Sequence, residues 1–246
     1  RLLDPGGEVG VGGEAGQGIA SAGLIFSKMA LRQGYFLFDY NEYPSLIRGG
    51  HNVYAVRVGQ EEIHAPVQSI DLLVALNQNA VDFHKDELVS GGAAILNSDK
   101  ARPFSKNGVV VFSVPLVSLA EKIGGQEVMM NNVALGVAAA LLRADFAILE
   151  SAIKEVFASA PPEIVSLNVR AARVGFEFAQ ENFSSQSLAF SLKRRAAAEQ
   201  LFLTGNDALC LAAIRAGCRF FAAYPMTPIN SMIAYFAAKA KELGMV

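Results

Sequence analysis

The chain has 246 residues, 52% hydrophobic and 18% charged, with a formal net charge of −2. That apolar fraction over this length excludes disorder for most of the chain and leaves room for one or two domains. The near-neutral balance argues against a nucleic-acid or membrane-surface partner, and apolar stretches such as 133–142 fall short of the roughly 20 residues that span a bilayer.

In chain order, residues 8–11 read as a short strand running into the glycine cluster Gly12-Gly13-Glu14-Ala15-Gly16-Gln17-Gly18. An amphipathic helix follows over 19–33, with Gly34 as its stop. Residues 35–38 form a strand ending at Asp39, and strands 52–58 and 61–64 abut across Gly59-Gln60 as a hairpin. The apolar run 71–76, bounded by polar residues, has the pattern of a parallel strand buried on both faces. A helix over 79–89 precedes strands at 93–96 and 109–112. Helices follow at 115–123, 131–142 and 146–158, and Pro161-Pro162 opens another. Strands alternating with helices predict a layered α/β domain with a mainly parallel sheet.

The texture changes near Glu181. Residues 182–204 mix Ser, Gln and Ala with Lys193-Arg194-Arg195 and show no strand pattern, so they read as a linker, with the basic triplet as a solvated face. A second unit begins at Gly205. Asn206 is a suitable N-cap for a helix over 207–216, Gly217 stops it, 219–223 reads as a strand, and Tyr224-Pro225-Met226-Thr227-Pro228 leads into a helix over 229–243. The expected domains are therefore 1–181 and 205–246. The second is near the size below which domains rarely fold unaided, and it is expected to be incomplete. The start, RLLDPGG, lacks an initiator Met and an apolar signal region, so the front end is also read as a fragment.

Cys210 and Cys218 sit in an apolar helical pattern and read as buried small hydrophobes. No CxxC is present, and His51, His64 and His84 lack ligand spacing, so the chain itself is expected to hold no metal. Three segments are suited to ligand chemistry. Gly10-x-Gly12-x-x-Ala15, with Asp39 downstream for a ribose contact, fits a dinucleotide fingerprint. The strand before it is broken by Gly10 and the glycines run on through Gly13, Gly16 and Gly18, which fits better a tightly packed loop or another kind of anion site at a helix N-terminus. The loop Asn41–Asn52 gathers Tyr43, Ser45, Arg48 and His51 beside Gly49-Gly50. Arg48 could clamp a carboxylate or phosphate, or simply pair with Glu42. At Tyr224–Pro228, Thr227 could cap the following helix or present its hydroxyl to an anion there.

Taken together, GEAGQGI, EYPSLIRGGHN and GNDALCLAAIRAGCRFFAAYPMTP resemble the alpha subunit of 2-oxoacid:ferredoxin oxidoreductases, in the form with an N-terminally fused gamma domain. The resemblance runs from about Gly6 to the last helix. It implies a gamma-type domain followed by the start of a pyrimidine-type thiamine diphosphate domain. It also implies a CoA-dependent oxidative decarboxylation of a 2-oxoacid to an acyl-CoA and CO2, with ferredoxin as electron acceptor. Domain order points to the 2-oxoglutarate branch, with indolepyruvate and pyruvate enzymes as related alternatives.

By the same resemblance, thiamine diphosphate, Mg2+ and a [4Fe-4S] cluster are held mainly by a beta subunit, within a cytoplasmic hetero-oligomer. Thr227 is then the catalytic and substrate-binding candidate, Tyr224 and Pro225 shape the cofactor loop, and Ser45, Arg48 and His51 lie on the substrate or coenzyme A side. Met226 stands where the family commonly has Ile, and Ile229-Asn230 replaces a small hydroxyl pair. The family's catalytic glutamate is expected beyond Val246; Glu242 comes too early to serve. The rival readings are a gamma-like scaffold subunit without catalysis and an NAD-binding oxidoreductase.

Overall fold

The computed structural model describes residues 6–44, 49–186, 188–196 and 200–244. The chain divides into two compact units, 1–198 and 199–246.

In the first unit the order is β1 (Gly7–Glu14), α1 (Ile19–Arg32), β2 (Phe36–Glu42), β3 (His51–Gly59), β4 (Ile70–Ala75), α2 (Gln78–His84), β5 (Leu88–Asn97) and β6 (Val110–Val114). Four further helices follow: α3 (Leu116–Lys122), α4 (Met130–Leu141), α5 (Phe146–Val156) and α6 (Pro162–Phe183). The six strands form one sheet in the order β2-β3-β1-β4-β5-β6. β1, β4, β5 and β6 run parallel, while β3 is antiparallel to both β1 and β2, so the sheet is mainly parallel as its apolar runs predict.

The expected hairpin is absent. Residues 61–64 are not a strand, because both edges of β3 are already paired: Gly7 lies opposite Val58 on one side, and Phe36 opposite Gly59 on the other. The helix expected over 79–89 ends at His84. A short 3-10 turn at Lys85–Glu87 follows, and Leu88 already opens β5.

Two apolar layers flank the sheet. Val9, Val11, Val56, Leu72, Val74 and Ile95 face α1 and α3–α6. Leu73, Ala75 and Leu96 face the seven-residue α2 through Ala80 and Val81. α4 is the inner helix, buried over nearly its whole length. It crosses α6 without spacing side chains, since a Cβ at Gly136 would run into the carbonyl of Ala172, and one at Gly175 into that of Val133. Residues 188–195 run along this unit. Phe190 and Leu192 are buried, the Leu192 N–H donates to the Leu142 carbonyl (2.7 Å), and the Tyr35 hydroxyl donates to the carbonyls of Ser191 and Lys193.

Glu8 breaks the apolar pattern of β1. It is 2% exposed, and among the described residues neither carboxyl oxygen has a hydrogen-bond partner. Burial pushes its pKa up to about 8, with Arg57 acting against the rise and Asp71 adding to it.

The second unit contains α7 (Gly205–Arg215) and α8 (Asn230–Leu243). Thr204, not Asn206, caps α7: its hydroxyl accepts from the Asp207 N–H while Asp207 reaches back to the Thr204 N–H, a reciprocal pair that a cap at Asn206 would forfeit. The Asn206 amide instead donates to the Pro228 carbonyl (2.9 Å) and Ser231 Oγ (2.7 Å), tying the starts of the two helices together. Residues 219–223 do not form the expected strand, there being no neighbouring strand among the described residues of this unit to pair with. Phe221 stacks on Phe236 at 4.3 Å between centroids. Among the described residues no helix is long and apolar enough to cross a membrane.

Gly136→Ala is expected to lower unfolding stability by about 1–3 kcal/mol through overpacking, read as a urea midpoint shift. An unchanged midpoint would contradict the close crossing. For Glu8, the folded pKa lies above the unfolded one, so the folded state holds the extra proton between them. Its stabilising contribution is complete below about pH 4.5 and is lost as pH rises towards about 8. Glu8→Gln should therefore gain thermal stability relative to wild type between pH 5 and pH 9; parallel melting profiles across that range would refute this.

Candidate functional site

The chain leaves β1 through α1 towards β2 on one side, returns through β3, and then places β4 on the other side of β1. β1 and β4 are thus the pair at which the strand order reverses, and α1 and α2 lie on opposite faces there. In open α/β sheets, the crevice outside the carboxyl ends of such a pair is where ligands bind. The glycine cluster occupies that crevice.

Local chemistry gives the loop its shape. Gly16 and Gly18 have φ of 95° and 70°, a region costly for residues with a Cβ. The Gln17 side-chain oxygen accepts from the Glu14 N–H (2.8 Å) and from the Asn77 amide (3.3 Å), joining the ends of β1 and β4. Asn131 on α4 donates to the carbonyls of Gln17 and Gly18. The Asn132 amide donates to Asn131 Oδ1 (3.0 Å) and to Asn168 Oδ1 (2.7 Å), and Asn168 donates to the Ile164 carbonyl, so a buried amide ladder links the loop to α6. The three sequence-predicted glycines play different parts. Gly13 is enclosed, because a Cβ there would strike Gln17 and Ile19. Gly18 is pressed against Asn131 at the start of α1. Gly16 is at the open apex, where an added Cβ would meet nothing.

The dinucleotide fingerprint does not survive this geometry. Gly10 and Gly12 are strand residues, packed near Ile70 and Ala80. β2 is separated from β1 by β3. Asp39, the expected ribose ligand, is engaged internally: its Oδ2 accepts from Tyr54 (2.6 Å) and Ser27 (2.7 Å). Burial and this carboxylate hold the Tyr54 phenol well above its ordinary range.

Of the loop between β2 and β3, Ser45 and Arg48 lie outside the described residues. Gly49 and Gly50 carry positive φ, and the Gly50 carbonyl accepts from the Ala15 N–H (3.1 Å), holding this loop against the glycine loop. His51 opens β3 opposite Glu14. Its Nε2 lies 2.7 Å from Nε2 of His84, whose Nδ1 is 2.6 Å from Glu87 Oε2. The Phe83 ring stacks on His51 at 4.8 Å. Burial, then the neighbouring His84, pulls the His51 pKa below its ordinary value, so it is a neutral imidazole at pH 7.

In the second unit Tyr224 (81% exposed), Pro225 and Thr227 all face solvent. The capping role considered for Thr227 does not hold, because α8 starts at Asn230 with Ile229 in the cap position. Among the described residues the Thr227 hydroxyl has no hydrogen-bond partner, so it is open to a ligand.

Gln17, Asn77, Asn131, His84 and Glu87 were not sequence candidates. Gln17 alone carried a signal, as a polar residue inside the glycine run. The others reach the site only through strand pairing and helix packing. Among the described residues no group of three His, Cys, Asp or Glu could hold a metal ion.

Residues 8–178 match the family described as pyruvate ferredoxin/flavodoxin oxidoreductase. The chain is 34% identical over 181 residues to the ketoisovalerate oxidoreductase subunit VorA of Methanothermobacter thermautotrophicus, covering 72% of this chain and 37% of that one. It is 31% identical over 183 residues to the 2-oxoglutarate synthase subunit KorC of Methanothermobacter marburgensis, covering 71% of this chain and 97% of that one. Among solved structures, the 2-oxoglutarate:ferredoxin oxidoreductase of Magnetococcus marinus, with 2-oxoglutarate, coenzyme A and succinyl-CoA bound, superposes with a TM-score of 0.84. Its identity is 25%, over 98% of this chain and 42% of that one. The chain thus spans about two-fifths of the length of the VorA and Magnetococcus relatives.

In an NMR titration, His51 should remain neutral at a pH where a free imidazole is half-charged, about 6.5. Its midpoint should move up in His84→Ala, which removes the neighbouring imidazole that lowers it while leaving most of the burial. An ordinary midpoint in the wild type would contradict the paired geometry.

Proposed function

Because the chain belongs to the pyruvate ferredoxin/flavodoxin oxidoreductase family, we propose that it is part of an enzyme that oxidises a 2-oxoacid with coenzyme A. The products are an acyl-CoA, CO2 and reduced ferredoxin. The observation that carries this reading is the likeness to the Magnetococcus enzyme over 98% of the chain, which includes both units. The same likeness favours 2-oxoglutarate as substrate. The 34% identity to VorA favours a branched 2-oxoacid as the second reading.

Thiamine diphosphate, when bound, supplies the carbanion-stabilising chemistry of decarboxylation. Thr227 and Tyr224 fit the substrate end of such a site, their side chains being exposed on the loop before α8. Thr227 donates a hydrogen bond to the 2-oxoacid, and Tyr224 and Pro225 shape the wall beside the pyrimidine ring. In the first unit, the open apex at Gly16 lets backbone N–H groups approach a phosphate-bearing ligand such as coenzyme A. Ser45, Arg48 and the neutral His51 orient the same ligand or the 2-oxoacid. By the family resemblance, Mg2+ and the [4Fe-4S] cluster are assigned to a beta subunit, in a cytoplasmic hetero-oligomer that passes electrons to ferredoxin. Exposed Phe220, Leu209 and Met226 suit a surface that another part of the assembly covers.

In the complete enzyme, Thr227→Ala should lower kcat/KM for the 2-oxoacid about tenfold, the worth of one hydrogen bond at about 1.4 kcal/mol, with thiamine diphosphate content unchanged. Unchanged kinetics would remove Thr227 from the pocket.

A further inference from the structure

The sheet face opposite α1 is only partly covered, because α2 is seven residues long and packs over Gly12 through its Ala80. Alternation along β1 puts Glu8 on the same face as Gly10 and Gly12. Register brings Ala55 of β3 beside Gly10, and Tyr40 of β2 beside Ala55. Between these strands, the 66–68 segment and the turn after α2 lies a cavity of about 540 Å³. Its polar wall carries Glu8, Glu42, Tyr40, Gln68 and Glu87, the last bonded to His84 of the same wall (2.6 Å); its apolar floor is Val53, Ala55 and Ile70. Among the described residues no Lys or Arg lines it. Arg57 is close enough to act on Glu8, but its Nη1 donates to the Ala65 carbonyl (2.9 Å).

One geometric feature marks this as more than an acidic surface. Glu8 is almost wholly buried at the cavity, with both oxygens unpartnered among the described residues. Such a group is expensive to bury unless something completes its bonding. The Tyr40 hydroxyl is also held above its ordinary pKa by burial and by Glu8, Glu42 and Glu87, so the carboxyls bear on one space. Among the described residues no three such groups converge closely enough for a metal ion. Dispersed acceptors above an apolar floor match a wide planar donor on an aliphatic stem better than a compact ammonium.

We propose that this cavity binds an alkylguanidinium group, with the Glu8 carboxyl at its base and Glu42 and Glu87 at its walls. The group comes either from a free small guanidine or from an arginine side chain of a neighbouring chain. Glu8 is faced by Arg57 from β3, Asp71 from β4, Tyr40 and Glu42 from β2, and His84 and Glu87 from α2 and its following turn. With its pKa near 8, Glu8 carries a proton at pH 7 in the empty cavity. Entry of the cation sends that proton to solvent, so affinity rises with pH between 6.5 and 8.5, a range over which guanidinium stays charged.

The test is calorimetric titration of the full 246-residue chain with butylguanidinium chloride at pH 6.5 and 8.5, with butylurea as the neutral isostere and sodium chloride as the salt control. Expected are saturable one-site binding, tighter at pH 8.5, a loss of about tenfold or more in Glu8→Gln, a smaller loss in Glu42→Gln, and no binding of butylurea. No saturable binding in the wild type, or the same affinity in both variants, would overturn the proposal. Glu42 is exposed near the end of edge strand β2, so Glu42→Gln carries the comparison should Glu8→Gln fail to fold. Repeating the titration on the assembled complex separates the sources: retained binding supports a free guanidine, and binding to the chain but not the complex supports a neighbour's arginine.

Discussion

Where α4 crosses α6, Gly136 and Gly175 leave no space for a side chain, and the two backbones approach each other directly. In this close packing Asn132 reaches Asn168 and holds the Asn131 oxygen, while the Asn131 amide fixes the carbonyls of Gln17 and Gly18. These amide N–H bonds tie the geometry of the glycine loop to the packing of the helical layer, with Asn132 Oδ1 left without a partner among the described residues. The loop at the carboxyl end of β1 is held from behind by α4 and from the side by Asn77 at the end of β4. Its apex at Gly16 is left open. A rigid cradle with one open point is what a site for an anionic ligand needs.

The two faces of the sheet differ in how they are finished. Five helices cover the face against which α4 packs, and burial there is nearly complete. On the other face, α2 covers β1 and β4 only near their carboxyl ends, and the sheet towards β2 ends in an acidic cavity above a buried, unpartnered carboxyl. His84 stands at the meeting of the two regions. It bonds His51 beside the glycine loop and Glu87 at the cavity, so the imidazole pair connects the candidate ligand loop to the uncovered face.

Much of the fold was legible in the sequence, because a parallel strand buried on both faces is an apolar run between polar ends, as at β4, and because glycines mark helix stops. What was not legible depended on partners far away in the chain. Residues 61–64 look like a hairpin arm beside Gly59-Gln60, yet β3 has no free edge to offer them. Thr204 and Asn206 are both good caps by residue type; the reciprocal bond with Asp207 decides between them. The glycine loop was visible as a motif, but the amides that hold it come from β1, the β4–α2 connection and α4. His51 was visible as a candidate in its loop, whereas its pairing with His84 follows only once β3 lies beside β1 and α2 packs over it. At Tyr224–Pro228 the capping role for Thr227 was not borne out, since α8 starts two residues beyond Pro228.

The functional reading concerns an assembly of which this chain covers a part, and it is tested most directly by electron transfer. The complex would be purified anaerobically through a tag on this chain, and viologen reduction followed with 2-oxoglutarate, ketoisovalerate, pyruvate or indolepyruvate, each with and without coenzyme A. Reduction that requires both coenzyme A and a 2-oxoacid, fastest with 2-oxoglutarate, is the predicted result. No reduction with any of the four, from a preparation shown to contain thiamine diphosphate, an iron–sulfur cluster and a partner subunit, would contradict the assignment while leaving the fold as described.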